Sequence, residues 1–164
     1  MDNRYKWATE EIYSSVDEWN KDFDKISGEL NFDEYRGKLN DKTNFLQCMK
    51  AQEKVNRSLE KLSVYAMMKH DENTKDAVYD ALTSKITAIS VKLGANTAFI
   101  MPELTSLPDK VLKEYINDAE LKEYDYFLKC VLKEKSHVLS EKEEKILAES
   151  GDAMSSFRDI FTKI

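Results

Sequence analysis

The sequence predicts an all-α protein: a long antiparallel helical hairpin with additional short helices, together a bundle-like lobe. Three observations point there. Only four Gly and two Pro interrupt the 164 residues, too few breakers for the many turns of a β-sandwich. Apolar residues recur at three- and four-residue spacing along most of the chain. No stretch alternates apolar and polar residues for long enough to form a strand. A chain of this length buries roughly 68–70% of its unfolded surface, so neither a disulfide nor a metal is required to hold it together.

The elements follow in order. Thr9 is expected to cap a short turn that buries Ile12 and Tyr13. Ser15-Val16-Asp17-Glu18 fits a capping box, in which the serine oxygen accepts from the third residue's N–H and Glu18 reaches back. Val16, Trp19, Phe23, Ile26 and Leu30 then form one apolar stripe, with Gly28 expected to weaken or end the helix. Phe32, Tyr35 and Leu39 mark a shorter amphipathic piece that stops near Gly37.

A long helix is expected from about Asp41 to His70, with Phe45, Met49, Gln52, Val55, Leu59, Leu62 and Ala66 inward. Leu46, Tyr65 and Met68 widen that face. Asp71-Glu72-Asn73 is a polar turn, and the return helix runs from about Thr74 to Ala98. Val78, Leu82, Ile86, Ile89 and Leu93 face inward on it. Two long helices joined by so short a turn must lie antiparallel. Gly94 is expected to allow close packing or mark a bend.

Pro102 should break the chain after Met101, since residues before proline avoid the α-region, and Pro102–Leu107 is a corner. Ser106 is then expected to cap a helix with Pro108 in its first turn and Val111, Leu112, Tyr115 and Ile116 inward. Asn117-Asp118 is a joint before a helix carrying Leu121, Tyr124, Leu128, Val131 and Leu132. Ser140 and Glu143 open another helix with Ile146 and Leu147 inward, Gly151 ends it, and Phe157, Ile160 and Phe161 line a last segment. The expected division is 1–105, an amino-terminal helical domain holding the long hairpin, and 106–164, the helices that follow.

Charge narrows the function classes. Ten acids oppose four bases within residues 1–34, which accounts for the whole net charge of −6. An acidic front on an otherwise balanced chain lacks the concentrated Lys and Arg that phosphates need, so no nucleic-acid partner is expected. The longest apolar run, Val64–Met68, is far below the roughly 18 residues of a membrane span. The start, MDNRYKWATEE, has no apolar core of a secretory signal. A soluble cytoplasmic protein without a membrane partner is the expectation. Cys48 and Cys130 lie beside Met49 and Val131 in helical patterns, so buried or half-buried free thiols are expected.

Catalytic chemistry finds few residues to use. A zinc peptidase helix needs His-Glu-x-x-His, because residues four apart share a face. The two histidines, His70 and His137, are distant and neither begins or ends that motif. Glu134-Lys135-Ser136-His137 has the Glu-x-x-His spacing of di-iron bundles. Its second copy fails, since Met67 stands where a glutamate should precede His70. Neither cysteine has a histidine near it in sequence, and the four glycines are scattered, so no phosphate-cradling loop exists. Met67, Met68, Tyr65, Phe99 and Tyr126 are expected in the core. No catalytic, cofactor-binding or metal-ligating residue is therefore assigned.

Several segments together resemble one family. Trp7-Ala8-Thr9, Ile12-Tyr13-Ser14 and Trp19 are similar to the amino-terminal pattern of oligoendopeptidase F enzymes. Tyr35-Arg36-Gly37-Lys38-Leu39 resembles that family's Y-x-G-K-L segment. Leu62-Ser63-Val64-Tyr65-Ala66, followed by Asp71, resembles its L-x-x-Y-A helix end. Phe99-Ile100-Met101-Pro102-Glu103-Leu104 resembles its F-x-x-P-E-L break. Tyr124, Leu128 and His137-Val138-Leu139-Ser140 with Glu143-Glu144 resemble its H-x-L-S-x-x-E-E signature. Each motif is short, but five in the right order across nearly the whole chain are specific.

The resemblance implies cytoplasmic, thimet-oligopeptidase-like zinc metallopeptidases that cleave short peptides inside an enclosed helical channel. It implies that this chain is the amino-terminal helical lobe, truncated before the catalytic region. The zinc histidines, the general-base glutamate and the third ligand of that family have no counterpart here. Zinc would belong to the parent enzyme, and the partners would be its catalytic domain and an oligopeptide substrate. Truncation would also expose an apolar face around Phe157, Ile160 and Phe161, open to self-association. The alternative is a free-standing helical module that binds a protein or peptide.

Overall fold

A computed structural model describes residues 7–135, and among these every regular element is helical. The α-helices are α1 (Val16–Gly28), α2 (Lys42–Glu72), α3 (Ala77–Thr97), α4 (Ile100–Ser106), α5 (Asp109–Asn117) and α6 (Asp125–Lys135). Short 3-10 turns occupy Thr9–Glu11, Asp33–Tyr35 and Ala119–Tyr124. The helix opening at Ser140 and the apolar face at Phe157, Ile160 and Phe161 lie outside the described residues.

Local chemistry explains where the helices start. Ser15 is extended, and its side chain accepts from the Glu18 N–H at 3.2 Å. Glu18 does not close the box on Ser15, however. It reaches one residue further, accepting from the Ser14 N–H at 2.8 Å and the Ser14 hydroxyl at 2.7 Å. Those two bonds, foremost the hydroxyl's, hold its carboxyl below the usual glutamate range. Asp41 caps α2 by accepting from the Asn44 N–H, and Asp76 caps α3 from the Val78 N–H, both at 2.9 Å. The second cap moves the start of the return helix from Thr74 to Ala77, because residues 73–76 close a turn of their own.

Other expectations about caps and helix breaks need correction. Thr9 does not cap its turn but lies inside it, fully buried, with Ala8 at the cap. Pro102 does not break the chain: it sits third in α4, where the first turn has no use for the missing N–H. Helical backbone continues from α3 through Ala98 and Phe99 into α4, despite the usual aversion of residues before proline. Ser106 caps nothing, since its hydroxyl donates backwards to the Glu103 carbonyl at 2.6 Å and Pro108 takes the cap position of α5. The helix expected across Leu121–Leu132 is divided at Tyr124-Asp125 into a 3-10 turn and α6.

The hairpin of α2 and α3 is the frame, and α1 packs on α2 while α4 and α5 pack on α6. One hydrophobic cluster runs through all of them, from Tyr13 to Val131. Trp19 is fully buried, stacked on Phe23 at 5.2 Å between centroids. Its indole N–H donates to the Leu62 carbonyl at 2.9 Å, so the largest side chain of α1 is anchored as well as buried. Phe45 lies between Tyr115 at 5.3 Å and Tyr124 at 6.0 Å, joining α2 to the later helices.

The inward faces are otherwise as the spacing predicts, with exceptions at the rim. Val78 in the first turn of α3 is 51% exposed, Met67 is 60% and Tyr126 is 80%. Met67 and Tyr126 each fall on the solvent side of a helix whose buried stripe runs through Ala66 and Leu128. Cys130 is exposed where a covered thiol is expected. Gly94 sits within an unbroken α3, and a Cβ there would meet nothing within 4 Å, so it permits no close approach.

Candidate functional site

The sequence segments that resemble motifs are brought together in pairs. Residues 36–41 form a strap between the Asp33–Tyr35 turn and α2. Gly37 takes φ of 75°, a left-handed conformation that only glycine adopts without strain. The N–H groups on either side of Lys38 thereby converge on Glu103 of α4. Its carboxylate accepts from the Gly37 N–H at 2.9 Å and from the Leu39 N–H at 2.7 Å. Arg36 adds a cation over an aromatic face, its guanidinium 4.6 Å above the Phe99 ring. On the strap's other side the Tyr115 hydroxyl donates to the Leu39 carbonyl at 3.1 Å. Burial, with the Asp41 and Glu114 charges behind it, pushes that phenol up to about 12, so it stays a donor.

A second pairing fixes the other end of the hairpin. The Trp19 indole bonds the Leu62 carbonyl, and Tyr13 meets Tyr65 edge-on at 5.5 Å. Tyr13 also donates to the Asp22 carboxylate at 2.9 Å, while the Lys61 ammonium lies 4.2 Å from its ring centroid. Burial and that carboxylate raise the Tyr13 phenol well above its ordinary value. A third tie joins α2 to the Asp118 joint. Lys42 reaches Asp118 at 2.9 Å and Glu120 at 2.7 Å. The Lys42 hydrogen bond holds the Asp118 carboxyl below its usual range.

Among the described residues, the histidine and cysteine side chains are not brought together. His70 is half-buried in the last turn of α2, its Nδ1 3.7 Å from the Asp71 carboxylate. Glu134 is exposed near the end of α6, and its Glu-x-x-His partner His137 lies outside the described residues. Cys48 is fully buried. Burial, with a smaller contribution from the Glu103 charge, pushes its thiol up to about 11, the opposite of what a nucleophile needs. Among the described residues no three His, Cys, Asp or Glu side chains could share a metal ion. The donors among those residues therefore do not fit a zinc centre. No helix among the described residues is long and apolar enough to cross a membrane.

Surface depressions are lined mainly by charged and polar side chains, one by Lys110, Lys113, Glu114, Asn117 and Asp118. Sequence reasoning assigned no functional role to Glu103 or Lys42. The available signal for Glu103 was its place in a family-like segment, but its partners lie 66 and 64 residues away.

A family model described as Oligopeptidase F matches residues 103–164. Oligopeptidase PepF of Bacillus subtilis (strain 168) is 34% identical over 95% of this chain and 24% of its own length. The plasmid oligoendopeptidase F of Lactococcus lactis subsp. cremoris is 34% identical over 94% of this chain and 26% of its own. The chain thus spans about a quarter of the length of these relatives. Among solved structures, a putative peptidase from Chlamydophila abortus shares the fold, with a TM-score of 0.79 at 24% identity. It is matched over 88% of this chain and 25% of its own. Oligoendopeptidase-F from Enterococcus faecium matches with a TM-score of 0.65 at 25% identity, over 90% of this chain and 30% of its own. On this evidence of sequence and fold, nearly the whole chain is similar to the amino-terminal helical region of oligoendopeptidase F-like peptidases.

Proposed function

We propose that these residues act as a non-catalytic helical lobe of an oligoendopeptidase F-like enzyme that hydrolyses short peptides in the cytoplasm. One observation carries the reading: nearly the whole chain aligns with relatives named as oligopeptidases, yet with only a quarter of their length. The absence of a His-Glu-x-x-His sequence within the 164 residues supports it. Cys48 is buried, and among the described residues no group of His, Cys, Asp and Glu side chains could share a metal ion. In this reading residues 1–105 are the helical domain proper, and 106–164 lead toward a catalytic region that supplies the zinc chemistry.

The lobe's contribution would be enclosure. A rigid wall admits a flexible peptide, excludes folded proteins by size and keeps water from the reacting centre. The strap held by Glu103, Phe99 and Tyr115 supports such a role, because it ties α4 and α5 to the segment before α2. The experiment is a comparison of a full-length relative with the same enzyme lacking its corresponding region. Loss of peptide turnover with zinc still bound is the expected result. Unchanged turnover and unchanged size selection by the shortened enzyme would refute the role.

A further inference from the structure

We draw no further inference here: the strongest candidate, the solvent-facing stripe of Ala77, Ala81, Ser84, Ala88, Val91 and Ala95 along α3, repeats every seven residues as a helix-docking seam would, but nothing in the structure shows what covers it.

Discussion

Gly37 and Gly94 both have open space where a Cβ would sit, yet replacing them should have opposite effects. Gly37 holds φ of 75°, so Gly37→Ala should destabilise by about 1–2 kcal/mol from backbone strain alone. Gly94 is ordinary helix, and Gly94→Ala should stabilise by about 1 kcal/mol through the better helix former. Urea midpoints of the two variants check both signs. Glu103 is the residue on which the strap depends. Glu103→Ala leaves the part-buried Leu39 N–H without its acceptor, which should cost about 1–3 kcal/mol. Glu103→Gln keeps one acceptor oxygen and should lose less, a ranking that urea unfolding resolves. The cysteines offer a chemical check of burial. Cys130 should react with a thiol reagent in the native protein, whereas Cys48 should react only after denaturant is added. Two equally fast thiols in native buffer would mean that α2 is not packed as described.

At the scale of elements, Phe45 is the side chain through which α2 meets the later helices, so Phe45→Ala should destabilise by about 3–5 kcal/mol. The Lys42 tie gives a pH signature. Asp118 has a folded pKa below its unfolded one, so its contribution is present above the unfolded value and is lost as pH falls through the folded one. The stability gap between the wild type and Lys42→Met should therefore narrow as pH drops below about 4, the ordinary aspartate value. A gap that stays constant down to acid unfolding would show that the ion triad contributes nothing.

Much at this scale was legible in the sequence for a physical reason. The Ser15 cap is a contact within three residues, and the hairpin follows from two long apolar stripes with a polar turn between them. What escaped was decided elsewhere in the fold. Pro102 looks like a breaker until α4 packs against α6 and the proline falls in a first turn. The division at Tyr124-Asp125 likewise has no local signal, because the apolar spacing runs straight through it. The convergence of Glu103 on Gly37 and Leu39 could not be read from either segment alone, since the intervening hairpin sets their approach.

At the largest scale, a continuous cluster runs from Tyr13 to α6, and among the described residues no three His, Cys, Asp or Glu side chains could share a metal ion. Two of the family-like segments, around Trp19 and Gly37, hold helices to one another through the Leu62 carbonyl and the Glu103 carboxylate. The most direct measurement incubates the purified chain with zinc and a quenched-fluorescent oligopeptide, with metal content determined on the same sample. Our reading predicts no cleavage above buffer and no stoichiometric zinc. Chelator-sensitive turnover by this polypeptide, with about one zinc per chain, would contradict it.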